Sequence, residues 1–181
     1  MLISEEYRKL NEQYHRELSI YGTGSKVEFI NILELCDKLK SIDVLDYGCG
    51  KALSWKKDLF QFKPKLYDPA FPEYSVKPDP ADIVLCLGVL EHVEPELLDN
   101  VLDDLFRCVK KIGVFLIDLK PSRNTLPDGS YPHRIVESID WWKNKLDKYW
   151  DLSEELDFKN GKGFWITVVP KGNNKIYLTG V

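Results

Sequence analysis

One short segment constrains this chain more than any other: an apolar strand that runs directly into two glycines. Residues 44–47 (VLDY) are followed at once by Gly48-Cys49-Gly50. Short apolar runs bounded by turn residues are typical of buried strands. A glycine turn lets a ligand approach the backbone at the carboxyl end of such a strand, with a helix N-terminus behind it. The segment therefore predicts an α/β fold with a ligand at this turn, and a helix over 52–60 after it.

The rest of the chain alternates strand and helix signals, which indicates a parallel sheet with helices on both faces. We predict a Rossmann-like, doubly wound α/β fold in three αβα layers, mostly parallel with an antiparallel C-terminal strand. Ser138 is the expected N-cap of a helix through Tyr149. The other predicted helices cover 3–20 and 27–40 and begin at Pro95. The predicted strands cover 41–47, 65–68, 82–87, 113–119, 152–158, 163–169 and 175–179.

Length and charge exclude several classes of protein. The 181 residues, of which 44% are hydrophobic, suit a single domain over 1–181, with 1–40 as a helical N-terminal extension or lid. A net charge of −4 disfavours a general nucleic-acid binder without excluding a local basic patch. No apolar run approaches the roughly 20 residues of a membrane helix, and the charged N-terminus is unlike a signal peptide. We expect a cytoplasmic protein that makes no membrane contact.

The cysteines and histidines show no metal-binding pattern. The cysteines nearest in sequence, Cys36 and Cys49, are too far apart for a CxxC motif, and the histidines add no zinc-type spacing. Three cysteines in apolar stretches are expected to be core residues, which fits a reduced intracellular protein. These are Cys36, Cys86 and Cys108. We expect no metal site.

Two carboxylates indicate which ligand the glycine turn suits. Asp46 precedes Gly48 by two positions, where it would repel the pyrophosphate of a dinucleotide. Leu53 also departs from the third position of the dinucleotide pattern. A ligand that carries an ammonium and a sulfonium, S-adenosylmethionine, suits an acidic turn. Asp68 follows Gly48 at the interval of roughly 20 residues at which an acid accepts hydrogen bonds from ribose hydroxyls, although an aspartate before Pro69 also suits a simple turn.

A third segment, residues 82–93 (DIVLCLGVLEHV), reads as a strand that opens onto a loop before a helix. Ligands of doubly wound sheets bind at the carboxyl ends of the strands. This loop is therefore expected to face the same crevice as the glycine turn and Asp68.

Together the segments VLDYGCGKA, KLYDP and DIVLCLGVLEHV resemble the cofactor-binding motifs of class I S-adenosylmethionine-dependent methyltransferases. Residues 14–24 and 128–142 more loosely resemble small methyltransferase-like proteins encoded by bacteriophages, which would place the protein in a host cytoplasm. The resemblance implies that one group of residues wraps the methionine part: Asp46, Gly48, Cys49 and Gly50. It implies that Asp68 takes the ribose, that Leu87, Gly88 and Val89 flank the cofactor, and that His92 lies at the pocket edge.

The chain departs from the family pattern at two places. Ala52 stands where a third glycine is common, and alanine is small enough to replace it. The stretch from Asp68 to Asp82 is short, and four prolines lie between Asp68 and Ala81. A crossover with its own helix needs a dozen or more residues, and a further strand must also fit. We therefore expect the fold to be reduced between strands 2 and 4, and neither Asp79 nor Asp82 is a convincing partner for adenine.

The sequence says less about the methyl acceptor than about the cofactor. The resemblance implies methyl transfer to a small-molecule or peptide acceptor, with no indication of the oligomeric state. We choose His133 as the catalytic base; the alternative is that it is a loop histidine hydrogen-bonded to a backbone carbonyl. Trp141 and Trp142 either stack on a substrate or fill the core. The other candidate bases are Glu91, Asp118 and Tyr131. Two alternatives stay open: a protein that binds S-adenosylmethionine without transferring methyl groups, and a NAD-dependent oxidoreductase.

Overall fold

The structure, a computed structural model, describes residues 1–18, 22, 32–57, 60–158 and 161–172. Its helices are α1 (Glu5–Glu17), α2 (Ile32–Leu39), α3 (Leu98–Cys108) and α4 (Ile139–Leu146). Its strands are β1 (Val44–Tyr47), β2 (Lys65–Tyr67), β3 (Ala81–Leu87), β4 (Val109–Asp118), β5 (Trp150–Phe158) and β6 (Gly163–Pro170). The six strands form one sheet in the order β2-β1-β3-β4-β6-β5.

The strand directions confirm the predicted fold. Strand β1 lies between β2 and β3 and is parallel to both, and β3 is parallel to β4. Strand β6 then runs antiparallel between β4 and β5, as the C-terminal hairpin pattern predicts. The carboxyl ends of four parallel strands therefore meet at one edge of the sheet, where ligands of such folds bind.

Each face of the sheet is covered by helices that bury an apolar stripe. On one face, α3 and α4 pack over β1, β3, β4 and β6, with Leu102 and Trp142 completely buried. On the other face, Ile32 and Cys36 of α2 pack on Leu85 and Leu116 of the same sheet. The arrangement has the three layers predicted from the alternation of strands and helices.

The connection from β2 to β3 is reduced, as the proline-rich spacing predicts. It contains a single 3-10 turn, Pro72–Tyr74, in place of a helix. Strand β3 then pairs with β1 on the side opposite β2. Proline removes a backbone donor and disfavours a helical conformation in the residue before it, so this segment cannot form the usual crossover helix.

Several predicted boundaries need correction. The helix over 52–60 is wrong: residues Leu53–Lys57 form a 3-10 helix, and it begins only after Ala52, whose left-handed φ of 51° excludes that residue from a helix. Strand β4 begins at Val109 rather than 113, since α3 runs directly into it. The predicted strand over 175–179 and the predicted helix start at 27 lie outside the described residues.

The cysteines behave as core residues. All four are free and buried, and burial raises the pKa of the Cys36 thiol and raises that of Cys108 to about 11. The neutral thiol is therefore the form that packs in the core, as predicted. Within the described part of the chain, no helix has the length and apolar character needed to cross a membrane.

Ser138 is the N-cap of α4, as predicted, and its hydroxyl accepts a hydrogen bond from the Trp141 N–H at 3.2 Å. We expect Ser138→Ala to lower the free energy of unfolding by about 1 kcal/mol, measured by urea denaturation. Ser138→Asp keeps an acceptor at this position and should stay close to the wild type. Equal losses in the two variants would contradict the capping role.

Candidate functional site

A cavity of about 510 Å³ opens at the carboxyl ends of the parallel strands. Four strand ends contribute to its wall: Tyr47 to Gly50 after β1, Asp68 to Ala70 after β2, Leu87 to Val89 after β3, and Asp118 at the end of β4. One face of α1 completes the wall. The cavity has the size of a small-molecule or cofactor site and lies where α/β sheets bind ligands.

The glycine turn has a backbone conformation that favours glycine at two of its three positions. Gly48 and Gly50 have φ values of 84° and 54°, which L residues rarely adopt. The N–H groups of Gly48 and Cys49 both donate to the Tyr67 carbonyl, at 2.7 and 3.0 Å, and so fix the turn against β2. A Cβ atom on Gly48 would lie 2.3 Å from a methyl group of Val89. The turn and the loop after β3 therefore pack closely only because residue 48 is glycine.

Asp68 joins the end of β2 to this turn and also lines the cavity. Its Oδ2 accepts from the Gly50 N–H at 2.9 Å, and its Oδ1 accepts from the Ala70 N–H at 2.8 Å. The turn-forming role considered from the sequence is therefore present, and it leaves the carboxylate on the cavity wall. Burial raises the pKa of this carboxyl, and the charge of the neighbouring His15 opposes that rise. Each carboxylate oxygen has a second lone pair with which it can accept a ligand hydroxyl.

Asp46 is placed differently from the other residues predicted to bind the cofactor. It is completely buried, and it is not among the residues that line the cavity. Its Oδ2 accepts a hydrogen bond of 2.7 Å from the Trp55 indole N–H. Its carboxylate thus connects β1 to the 3-10 helix that follows the glycine turn, and it can influence a ligand through the turn that it supports.

The loop after β3 reaches the cavity as predicted. Leu87, Gly88, Val89 and His92 all line it, together with Gly48, Cys49 and Gly50. Gly88 has a φ of 72°, and its N–H donates to the Leu116 carbonyl of β4 at 2.8 Å. The three segments that lie far apart in the sequence therefore form one wall.

A cluster of titratable side chains occupies another part of the cavity wall. Glu91 is completely buried, and its Oε1 accepts from the Asp118 N–H at 3.2 Å. The rings of His92 and His133 meet edge to face, with centroids 4.7 Å apart. His133 Nδ1 lies 2.6 Å from the Lys120 carbonyl oxygen. Because a carbonyl only accepts, Nδ1 carries a proton, and in the neutral form of the ring the lone pair is on Nε2.

The other residues considered for the acceptor side differ in whether they line the cavity. Asp118 lines the cavity, whereas Tyr131 is 56% exposed and is not among the lining residues. Trp142 is completely buried in the core and Trp141 packs against it, so neither lines the cavity. The core interpretation of the tryptophan pair is therefore confirmed.

Helix α1 supplies lining residues that were not predicted from the sequence. Tyr7, Asn11, Tyr14 and His15 are buried along one face of α1 and line the cavity. The helix is held there by the Tyr7 hydroxyl, which donates to the Pro132 carbonyl at 3.0 Å. Polar residues at helical spacing on an otherwise apolar stripe were the available signal.

The close approach at Gly48 gives a test with a matched control. Gly129 has a φ of 83°, against 84° for Gly48, but a Cβ there would meet nothing within 4 Å. We expect Gly129→Ala to cost about 1–2 kcal/mol of unfolding free energy from backbone strain alone. Gly48→Ala should cost at least about 1 kcal/mol more in urea denaturation, because its methyl group also meets Val89, and Val89→Ala should recover part of that excess. Equal losses at both glycines would rule out the close contact.

Comparison with known proteins identifies the family. A family described as "Methyltransferase domain" matches residues 13–158. Among curated protein sequences, none matches this chain.

Solved structures share the fold at low sequence identity. Burkholderia thailandensis 1,6-didemethyltoxoflavin-N1-methyltransferase, with bound 1,6-didemethyltoxoflavin and S-adenosylhomocysteine, is 15% identical with a TM-score of 0.64, over 94% of this chain and 91% of that one. The DhpI complex with S-adenosylhomocysteine is 15% identical with a TM-score of 0.61, over 92% and 98%. A Pyrococcus horikoshii protein is 15% identical with a TM-score of 0.58, over 88% and 99%. The chain therefore belongs to the class I S-adenosylmethionine-dependent methyltransferases.

Proposed function

We propose that this protein binds S-adenosylmethionine in the cavity at the carboxyl ends of β1 to β4 and transfers its methyl group to a small-molecule acceptor. The observation that carries the proposal is the position of Asp68. Its buried carboxylate is fixed to the glycine turn by the Gly50 N–H and lies on the cavity wall. A carboxylate held in this way is prepared to accept hydrogen bonds from two neighbouring hydroxyls.

The residues on the wall fit this cofactor. Asp68 is assigned to the 2′- and 3′-hydroxyls of the ribose, and Leu87, Gly88 and Val89 to the flank of the cofactor. Gly48 and Gly50, which carry no side chains, and Cys49 form the part of the wall assigned to the methionine part. His92 lies at the edge, and Asp46 acts through the turn that it supports. The cofactor supplies a methyl group on a sulfonium, which makes that group electrophilic.

The protein's part in the transfer is mainly to hold the acceptor close and in line. Helix α1 covers the cavity with Tyr7, Asn11 and Tyr14, and the Ser4 N–H donates to Glu94 Oε2 at 2.8 Å at the start of this helix. A site enclosed by a helix suits a small molecule better than a polymer. The 1,6-didemethyltoxoflavin bound by the Burkholderia thailandensis neighbour supports the same class of acceptor.

His133 is assigned to the acceptor end of the cavity. Its Nδ1 donates to the Lys120 carbonyl, so Nε2 is the nitrogen that can take a proton from the methyl acceptor. Glu91 and Asp118 lie on the same part of the wall. The predicted loop-histidine contact and the catalytic role are thus compatible, because they use different nitrogens.

Calorimetric titration with S-adenosylhomocysteine and with NAD tests the cofactor assignment. We expect the first ligand to bind and NAD not to. Asp68→Asn should lower the affinity for S-adenosylhomocysteine by roughly 10- to 100-fold, because hydrogen bonds to a charged acceptor contribute about 1.5–3 kcal/mol. Asp82→Asn is the matched control, since Asp82 pairs with Lys111 at 2.7 Å and is not a lining residue. Binding of NAD alone, or an unchanged affinity in Asp68→Asn, would overturn the proposal.

The raised pKa of Asp68 gives a pH dependence with a definite sign. Ribose hydroxyls donate to the ionised carboxylate, so binding favours deprotonation, and the affinity for S-adenosylhomocysteine should fall as the pH drops through the raised pKa of Asp68. The fall approaches tenfold per pH unit below that pKa. Asp68→Asn should abolish it.

The pH dependence can be assigned to Asp68 because the other titratable groups near it would change the profile differently. Cys49 and Tyr67 interact with its charge, but burial raises the pKa of both, that of Tyr67 to about 12. His15 is the neighbouring histidine, so His15→Asn serves as the control and should keep the acid fall. A pH profile that disappears in His15→Asn and survives in Asp68→Asn would contradict the assignment.

A further inference from the structure

We propose that Glu91, His92 and His133 bind a divalent transition-metal ion at the acceptor end of the cavity. Each of the three side chains offers one ligand atom, and these atoms all lie within 4.8 Å of one another. All three residues line the cavity. No metal site was predicted from the sequence, because His92 and His133 lie far apart in the chain and no spacing motif connects them.

The backbone holds the three residues together. Glu91 and His92 belong to the 3-10 turn Leu90–His92 that follows the loop after β3. The Glu91 carbonyl accepts from the N–H groups of Arg134 and Ile135, at 2.7 and 3.0 Å. These two bonds fix the segment that carries His133 directly against Glu91, so the cluster does not depend on the side chains alone.

The outer contacts of the cluster are those of metal ligands. A metal-binding histidine usually donates its second ring N–H to a carbonyl or carboxylate, which fixes the ring and its tautomer. His133 does this through Nδ1 and the Lys120 carbonyl, at 2.6 Å, and so presents Nε2 as the ligand. Ligand carboxylates are likewise oriented by a hydrogen bond, and Glu91 Oε1 accepts one from the Asp118 N–H. These two hydrogen bonds indicate metal ligands independently of the short distances between the three side chains.

The donor set indicates the class of ion. Two imidazoles with one carboxylate suit zinc, iron(II) or manganese(II), whereas magnesium and calcium prefer oxygen ligands. Ligand atoms about 2.0–2.2 Å from a tetrahedral ion lie roughly 3.3–3.6 Å apart. The three ligand atoms lie within 4.8 Å of one another, so side-chain rotations that bring them up to about 1.5 Å closer would complete the site. Three protein ligands leave at least one open position, as in catalytic rather than structural sites.

The consequence for substrate choice rests on the proposed methyltransferase function. An open position at the acceptor end selects acceptors with a hydroxyl group, since a bound divalent ion lowers the pKa of an attached oxygen. With an ion bound to His133 Nε2, the ion takes over the part assigned above to that nitrogen: the acceptor O–H bond breaks and its proton leaves to solvent. The oxygen forms the new bond to the methyl carbon, and the C–S bond breaks with its electron pair returning to sulfur. No additional reductant or oxidant is needed.

The test uses the full chain after treatment with EDTA and removal of the chelator. Calorimetric titration with ZnCl₂ or MnCl₂ alone, followed by metal analysis after dialysis, should give one ion per chain. Glu91→Gln, His92→Asn and His133→Asn should each weaken binding at least about 10-fold. His15→Asn removes the remaining histidine of the chain, which lies outside the cluster, and should leave the stoichiometry and affinity unchanged.

A parallel titration with S-adenosylhomocysteine separates this proposal from the preceding one. Cofactor binding by His133→Asn shows that the cavity has folded, so a loss of metal in that variant supports the site. If the wild-type protein binds S-adenosylhomocysteine but no stoichiometric metal, the metal site is overturned and the methyltransferase assignment stands. If the three variants bind metal as tightly as the wild type, the ligands are wrongly assigned. Metal binding without S-adenosylhomocysteine binding would keep the site and overturn the cofactor assignment.

Discussion

The hydrogen bond from the Gly50 N–H to the Asp68 carboxylate is the contact on which the candidate site depends. At 2.9 Å it connects the turn after β1 to the end of β2, and it places a buried carboxylate at the edge where the parallel strands end. Burial of this group is costly, which its raised pKa reflects, and backbone N–H groups offset the cost. A fold that keeps a buried carboxylate on a cavity wall retains a strong acceptor for a ligand that carries hydroxyl groups.

The cavity divides into two halves with different chemistry. The first half consists of the glycine turn, Asp68 and the loop after β3, which are fixed by backbone hydrogen bonds to Tyr67 and Leu116. The second half consists of Glu91, His92 and His133, which the Glu91 carbonyl holds together. The reduced connection between β2 and β3 does not affect either half, because both are built at the carboxyl ends of strands that the reduction leaves in place. The chain therefore keeps the strand ends that carry the site without a crossover helix between β2 and β3.

Signals from residues that are close in sequence predicted most of the fold. Features that depend on contacts between distant segments were missed. The apolar runs of β1 and β3, the Ser138 cap and the prolines between β2 and β3 all act through nearby residues, so they could be interpreted from the sequence. The start of the 3-10 helix after Ala52 could not, because a left-handed φ at a non-glycine residue has no sequence signal. The wall formed by α1 and the approach of His133 to Glu91 depend on contacts between distant segments. Helical spacing marks the polar residues on one face of α1, but it does not say what that face contacts. The position of the candidate cofactor residues on the cavity wall, Asp46 excepted, was predictable because three motifs end at the same sheet edge.

A crystal structure of the protein with S-adenosylhomocysteine tests the central claim most directly. We predict that both ribose hydroxyls lie within hydrogen-bonding distance of the Asp68 carboxylate, that the methionine part lies over Gly48 to Gly50, and that the sulfur faces the half of the cavity that holds His133. A ligand bound elsewhere, or one whose ribose makes no contact with Asp68, would contradict this assignment.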